Sequence, residues 1–169
     1  MTDEKQKFII KLEEAMQNIK HHRYYETERG YQGELNAELR KILPELGWDN
    51  AIVEQEYQKK IREHNIRIRP DIIIHVPFDP NYNNTRGDGN FVTFELKLGR
   101  NLTENQALKD YQSLAIMCEE LSYPYAVFIV IDGNTTYFNK YDGPHKEKIL
   151  AYKVNIVDGI VHFEREYAI

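Results

Sequence analysis

Seven consecutive residues, Tyr125-Ala126-Val127-Phe128-Ile129-Val130-Ile131, form an almost unbroken apolar run. It is far too short to span a membrane, which takes about 20 apolar residues. A strand that is apolar on both faces must be covered on both, so the run predicts the central strand of a sheet packed between helices. The rest of the chain has the material to cover it. Its 169 residues are enough for one domain with a real core, and 41% apolar against 29% charged is ordinary for a globular chain.

Helical spacing supplies the covering layers. Phe8, Leu12, Ala15, Met16 and Ile19 recur on one face over residues 3–19. Tyr31, Leu35, Leu39, Ile42 and Leu46 do so over residues 27–46, with Pro44 in the last turn and Gly47 as a stop. Between them, Lys20-His21-His22-Arg23-Tyr24-Tyr25 reads as a solvated connector, since adjacent histidines rarely point at one ion. A third helix is expected over residues 103–121, with Leu108, Tyr111, Leu114, Ala115 and Cys118 on its apolar face and capping-box spacing at Thr103 and Gln106.

Strands are expected at 52–57, 67–76, 91–98 and 125–131, followed by a β-rich tail over 135–169. That tail contains 135–141, 149–156 and 160–165, the last two joined by an Asp158-Gly159 turn. Residues 58–64 read as an exposed hairpin end. Residues 77–90 read as a Pro-, Asn-, Asp- and Gly-rich loop, in which Gly87-Asp88-Gly89 is a turn and no phosphate loop. The order predicts an α/β fold: a mixed sheet flanked by helices with a β-rich C-terminal extension, in a single domain over 1–169. Its N-terminal helix would lie within 3–22 and its core at about 27–131.

Two stretches carry chemistry. Arg69-Pro70-Asp71 opens one strand, and Glu95-Leu96-Lys97 lies in the next. Residues two apart on a strand share a face, so Glu95 and Lys97 project together. If these strands pair as a hairpin across residues 77–90, Asp71 lies beside them. Helices expected on both sides of the sheet would then cover the charged set, and a buried carboxylate is costly unless it is paired or binds metal. Asp and Glu oxygens suit Mg²⁺, and a neighbouring lysine can hold water or neutralise developing charge.

Glu28 extends the buried stripe of the second helix at its N-terminal end, and we prefer it as an additional acid over Glu34 and Glu38. His75 is read as structural and Cys118 as a buried thiol. The twelve tyrosines are read as half-buried sheet residues.

Taken together, Arg69-Pro70-Asp71, Phe94-Glu95-Leu96-Lys97 and Thr27-Glu28-Arg29 resemble the signature of the PD-(D/E)xK nuclease superfamily, which includes many restriction endonucleases and archaeal junction resolvases. The resemblance covers roughly residues 27–131. It implies a restriction-endonuclease-like fold and Mg²⁺, replaceable by Mn²⁺, held by Asp71 and Glu95. Glu28 would touch the metal or its waters, and Lys97 would position the attacking water. It also implies a polar residue on the following helix near the scissile phosphate, for which Gln106, Lys109 and Gln112 are candidates. Arg69, Arg86 and Arg100 are the further cations expected to meet backbone phosphate.

The expected function is therefore metal-dependent hydrolysis of DNA, with RNA a second possible substrate, as an endonuclease. A homodimer or a partner protein would supply specificity. A catalytically inactive nuclease-fold subunit of a larger complex is the alternative. A net charge of −5 argues against binding nucleic acid by charge alone, although bound cations offset clustered acids. The lone Cys118 excludes an internal disulfide, and the charged N-terminus leads into no signal-peptide core, so the chain is expected to be cytoplasmic and not membrane-bound.

Overall fold

In the computed structural model the 125–131 run is a strand, buried in all but its first residue. The structure describes residues 3–55, 59–61, 66–81, 85 and 87–168. In chain order the elements are α1 (Asp3–Gln17), α2 (Glu28–Leu46), β1 (Ile52–Gln55), β2 (Lys59–Ile61), β3 (Ile66–Ile68), β4 (Ile72–His75), β5 (Asn90–Leu98), α3 (Glu104–Glu120), β6 (Tyr125–Ile131), β7 (Ile149–Val157) and β8 (Ile160–Tyr167). Six strands form one sheet in the order β1-β4-β5-β6-β7-β8, and β2 and β3 make a separate hairpin. β1, β4 and β5 pair antiparallel, β5, β6 and β7 parallel, and β7 and β8 antiparallel. The molecule is thus a mixed α/β fold with a β-rich C-terminal part, as the element order implies. β7 and β8 continue the same sheet beyond β6.

Strand alternation divides the core in two. Val92, Phe94 and Leu96 of β5 and Val127, Ile129 and Ile131 of β6 pack with α1 and α2. Ala126, Phe128 and Val130 face the opposite way and pack with Ala107, Tyr111, Leu114 and Cys118 of α3. The parallel register sets Thr93 beside Ala126, Glu95 beside Phe128 and Lys97 beside Val130. The polar set of β5 therefore lies on the face that α3 covers, and Thr93 is wholly buried there.

Local chemistry explains most boundaries. Thr103 and Gln106 form a reciprocal capping box at the start of α3. Asp158 and Gly159 both take left-handed backbone, with φ of 51° and 76°, which gives the β7–β8 hairpin a tight turn matched to strand twist.

Several expected elements differ. The strand read over 67–76 is two, β3 and β4, with Arg69 to Asp71 between them; Pro70 has no N–H to donate to a ladder, so pairing lapses there. Residues 135–141 form no strand but contain a 3-10 turn, Phe138–Lys140. The 20–25 connector is solvated over Lys20 to Arg23, as expected, but its end is not. His22–Tyr25 is also a 3-10 turn, and Tyr25 is buried with its hydroxyl donating to Ile19 O at 2.9 Å. Of the 58–64 stretch, Lys59–Ile61 is strand, and residues 58 and 62–64 lie outside the described residues, as do residues 56 and 57 at the end of the 52–57 strand. Among the described residues no helix is long and apolar enough to cross a membrane.

Gly99 follows β5 directly and packs on Gly133 just past β6. A Cβ at Gly99 would come within 2.3 Å of the Gly133 Cα, a backbone atom with little room to yield. Gly99→Ala is expected to lower stability by about 1–3 kcal/mol by prying these strand ends apart, measured as a drop in urea midpoint. An unchanged midpoint would show that the ends tolerate separation.

Candidate active site

Pairing of β4 with β5 brings the two motifs together. Ile72 lies opposite Phe94 and Ile73 opposite Thr93, the hairpin expected across the 77–90 loop. Asp71, at the bend before β4, donates its N–H to Phe94 O at 3.1 Å. Its Oδ2 accepts from the Leu96 N–H at 2.7 Å. Gln32, buried on α2, donates to the Asp71 carbonyl at 2.7 Å, so side chain and main chain of Asp71 are both held.

Glu95 and Lys97 project together under α3. Lys97 Nζ donates to Glu95 Oε1 at 3.3 Å, and their side chains are only 30% and 14% exposed. These values decide against a plain surface ion pair, since both groups have lost most of their water. Lys97 points into the acid cluster.

The structure adds a residue that the sequence reading missed. Asp110 of α3 places Oδ2 3.7 Å from Lys97 Nζ, an ion pair too long for a hydrogen bond. That oxygen is buried and accepts no hydrogen bond among the described residues. A signal was present: Asp110 is three residues after Ala107 and four before Leu114, which puts it at the border of the apolar stripe of α3.

Glu28 begins α2, and its Oε2 accepts from the Leu98 N–H at 3.3 Å, at the end of β5. Glu38 is the more deeply buried acid of that helix, but its carboxylate is occupied by Lys41 at 2.5 Å and Asn18 at 3.2 Å, away from the cluster.

The electrostatics follow from burial and crowding. Burial, followed by the charges of Glu28 and Asp110, raises the Asp71 carboxyl above its ordinary range, against the Leu96 N–H and Lys97. Glu95 is pushed up to about 8, first by burial and then by Asp71 and Asp110. Asp110 is raised by burial, partly offset by Lys97. Burial works against the Lys97 ammonium, but Glu95, Asp110, Asp71 and Glu28 outweigh it and hold it above its ordinary value. Among the described residues, the four acids Glu95, Asp110, Asp71 and Glu28 thus act together on the Lys97 ammonium. Among the described residues no three His, Cys, Asp or Glu side chains already stand in metal-coordinating geometry.

The other candidates stand further out. Arg69 is exposed. Arg100 is exposed and pairs through Nε with Asp132 at 2.8 Å. Gln106 uses its Oε1 on Thr103, accepting from N at 2.9 Å and Oγ1 at 3.0 Å, so the cap occupies it. Gln112 is exposed and about 200° around α3 from Asp110. Lys109 is exposed and close enough to Asp110 to oppose its rise. Arg86 lies outside the described residues.

His75 is buried against Glu54, Nε2 to Oε2 at 2.6 Å, which is a structural pairing between β4 and β1. Cys118 is buried, with its thiol pushed up to about 12 by burial. Both agree with the structural roles read from the sequence.

The sequence matches no family model and no curated protein. Among solved structures the fold is similar to that of Pyrococcus furiosus SfsA in complex with Ca²⁺, at 14% sequence identity and a TM-score of 0.38. The match covers 79% of this chain and 62% of that one, so the chain spans less than two thirds of the structure it resembles.

Proposed function

We propose that this protein is a metal-dependent nuclease that hydrolyses DNA phosphodiester bonds, with Asp71, Glu95, Lys97 and Glu28 as its working groups. The observation that carries the reading is the burial of Glu95 and Lys97 together under α3 with Asp71 alongside. A fold spends stability to keep such a set, and a surface ion pair would not need it.

The donor set suits Mg²⁺ or Mn²⁺. Asp71 has Oδ2 on Leu96 N and Glu95 has Oε1 on Lys97, which leaves one hard oxygen of each without a bond among the described residues. Both carboxyls are driven toward the protonated form by burial and by their neighbours, a cost that a divalent charge offsets. Asp71 and Glu95 would hold the cation, and Glu28 would touch it or its waters. When bound, it supplies Lewis acidity and charge neutralisation at the phosphodiester. Lys97 Nζ would orient the attacking water and balance charge on the phosphorane-like transition state. Arg69, Arg100 and Lys109 would meet backbone phosphate, after which a homodimer or partner protein would supply sequence choice.

The test is cleavage of plasmid, linear duplex, single-stranded and branched DNA, and RNA, with Mg²⁺, Mn²⁺ or EDTA. Cutting is expected with either metal and not with EDTA, and is expected to fall by about 100-fold or more in Lys97→Ala. Activity that survives in that variant would place the chemistry elsewhere. No cutting, together with no Mn²⁺ binding by calorimetry, would favour a non-catalytic binding subunit.

A further inference from the structure

Asp110 reaches the cluster from α3, outside the strand motifs that carry the nuclease resemblance, and its placement is fixed on both sides. The Thr103–Gln106 capping box sets the start of the helix. The adjacent Tyr111 is buried against Phe128, Phe138 and Tyr141, and its hydroxyl donates to Thr136 O at 2.9 Å. Asp110 is thereby held at a set depth over β5, with a buried Oδ2 that has Lys97 Nζ as its ion-pair partner at 3.7 Å.

Lys97 has a flexible four-carbon stem, and its contact with Glu95 at 3.3 Å comes from the same strand two residues away. A single contact along the strand leaves the ammonium free to swing about it. The Asp110 carboxylate gives the ammonium a second charged partner from another element, at 3.7 Å. Of Gln106, Lys109 and Gln112, the polar residues expected to serve from this helix, Gln106 is committed to the cap, Gln112 is turned away and Lys109 is exposed beside Asp110.

We propose that Asp110 is a positioning residue: from α3 it fixes the Lys97 ammonium against Glu95, so that the amine is already aimed when substrate arrives. The kinetic and Mn²⁺-affinity arms of this inference rest on the nuclease reading; the lysine signal does not. Asp110 acts through Lys97, so its loss should disturb the lysine before it disturbs metal binding.

The test uses the full chain labelled with ¹³C-lysine, metal-free, with the Lys97 signal assigned by Lys97→Arg. The two Hε protons of Lys97 are expected to resolve in the wild type and to collapse to one shift in Asp110→Asn. Kinetically, Asp110→Asn should lower kcat by about 10- to 100-fold with KM little changed. Mn²⁺ affinity by calorimetry should change no more than a few-fold. An unchanged Lys97 signal would overturn the proposal. So would a tenfold or greater loss of Mn²⁺ affinity, which would make Asp110 a metal ligand. If the wild type cuts nothing, the nuclease reading fails, and the lysine signal still decides the role of Asp110. Asp110→Ser provides the same readout should the amide disturb α3.

Discussion

Glu95→Gln is expected to abolish metal-dependent cleavage while leaving the metal-free protein more stable than the wild type at pH 8. In the fold the Glu95 carboxyl is pushed from an ordinary value of 4.5 to about 8, by burial first and then by Asp71 and Asp110. Between those two pH values the folded chain keeps a proton that the unfolded chain has lost. Stability from this group is therefore full below about 4.5 and falls as pH rises to about 8. The loss is on the order of a few kcal/mol for a group so largely buried.

An amide of the same shape has no charge to bury and lacks this slope. Melting temperatures in EDTA at pH 5, 6.5 and 8 should diverge, with the variant ahead at the highest pH. Mg²⁺ should raise the wild-type value at pH 8 and leave the variant almost unmoved. Cleavage by the variant should drop by about 100- to 1,000-fold or more. Parallel melting curves across the pH range would mean that Glu95 ionises without penalty, and the case for a cation site would go with it.

Tyr111→Ala should produce the largest loss of stability from a single side chain on the α3 face. The ring is fully buried, with its centroid 4.7 Å from that of Phe128 and 5.2 Å from that of Tyr141. Emptying that volume should cost about 3–5 kcal/mol, as for other large aromatic truncations. Tyr111→Phe keeps the packing and loses only the bond to Thr136 O, about 1 kcal/mol. Guanidinium unfolding of the two variants separates packing from hydrogen bonding. Equal shifts would show that the ring cluster does not anchor α3.

Much of this architecture was legible in the sequence because its causes are local. The apolar run of β6, the capping box at Thr103 and the Asp158-Gly159 turn each depend on residues within a few positions of one another. The lapse at Pro70 was readable in principle, since a missing N–H cannot support a ladder, but the β-branched residues around it read as one continuous strand. Residues 135–141 misled for a related reason. Thr135, Thr136, Tyr137, Phe138 and Tyr141 favour strands, yet the left-handed Tyr137 turns the chain into a 3-10 turn.

The candidate site divides along the same line. That Glu95 and Lys97 share a face follows from the period of a strand, and that Asp71 lies near them follows from the hairpin. The choice among the acids of α2 was already a question of phase: Glu38 is more buried than Glu28, but its partners Asn18 and Lys41 lie away from the cluster. By itself, then, the sequence determined most of the elements, the two sheet faces and the strand-borne charges, all consequences of spacing along the chain. Only the tertiary structure decided which face of α3 lies over those charges, that Asp110 joins them, and that Gln106 and Gln112 do not. How a helix is rotated about its axis over a sheet is set by packing such as that of Tyr111 on Phe128, between residues far apart in sequence.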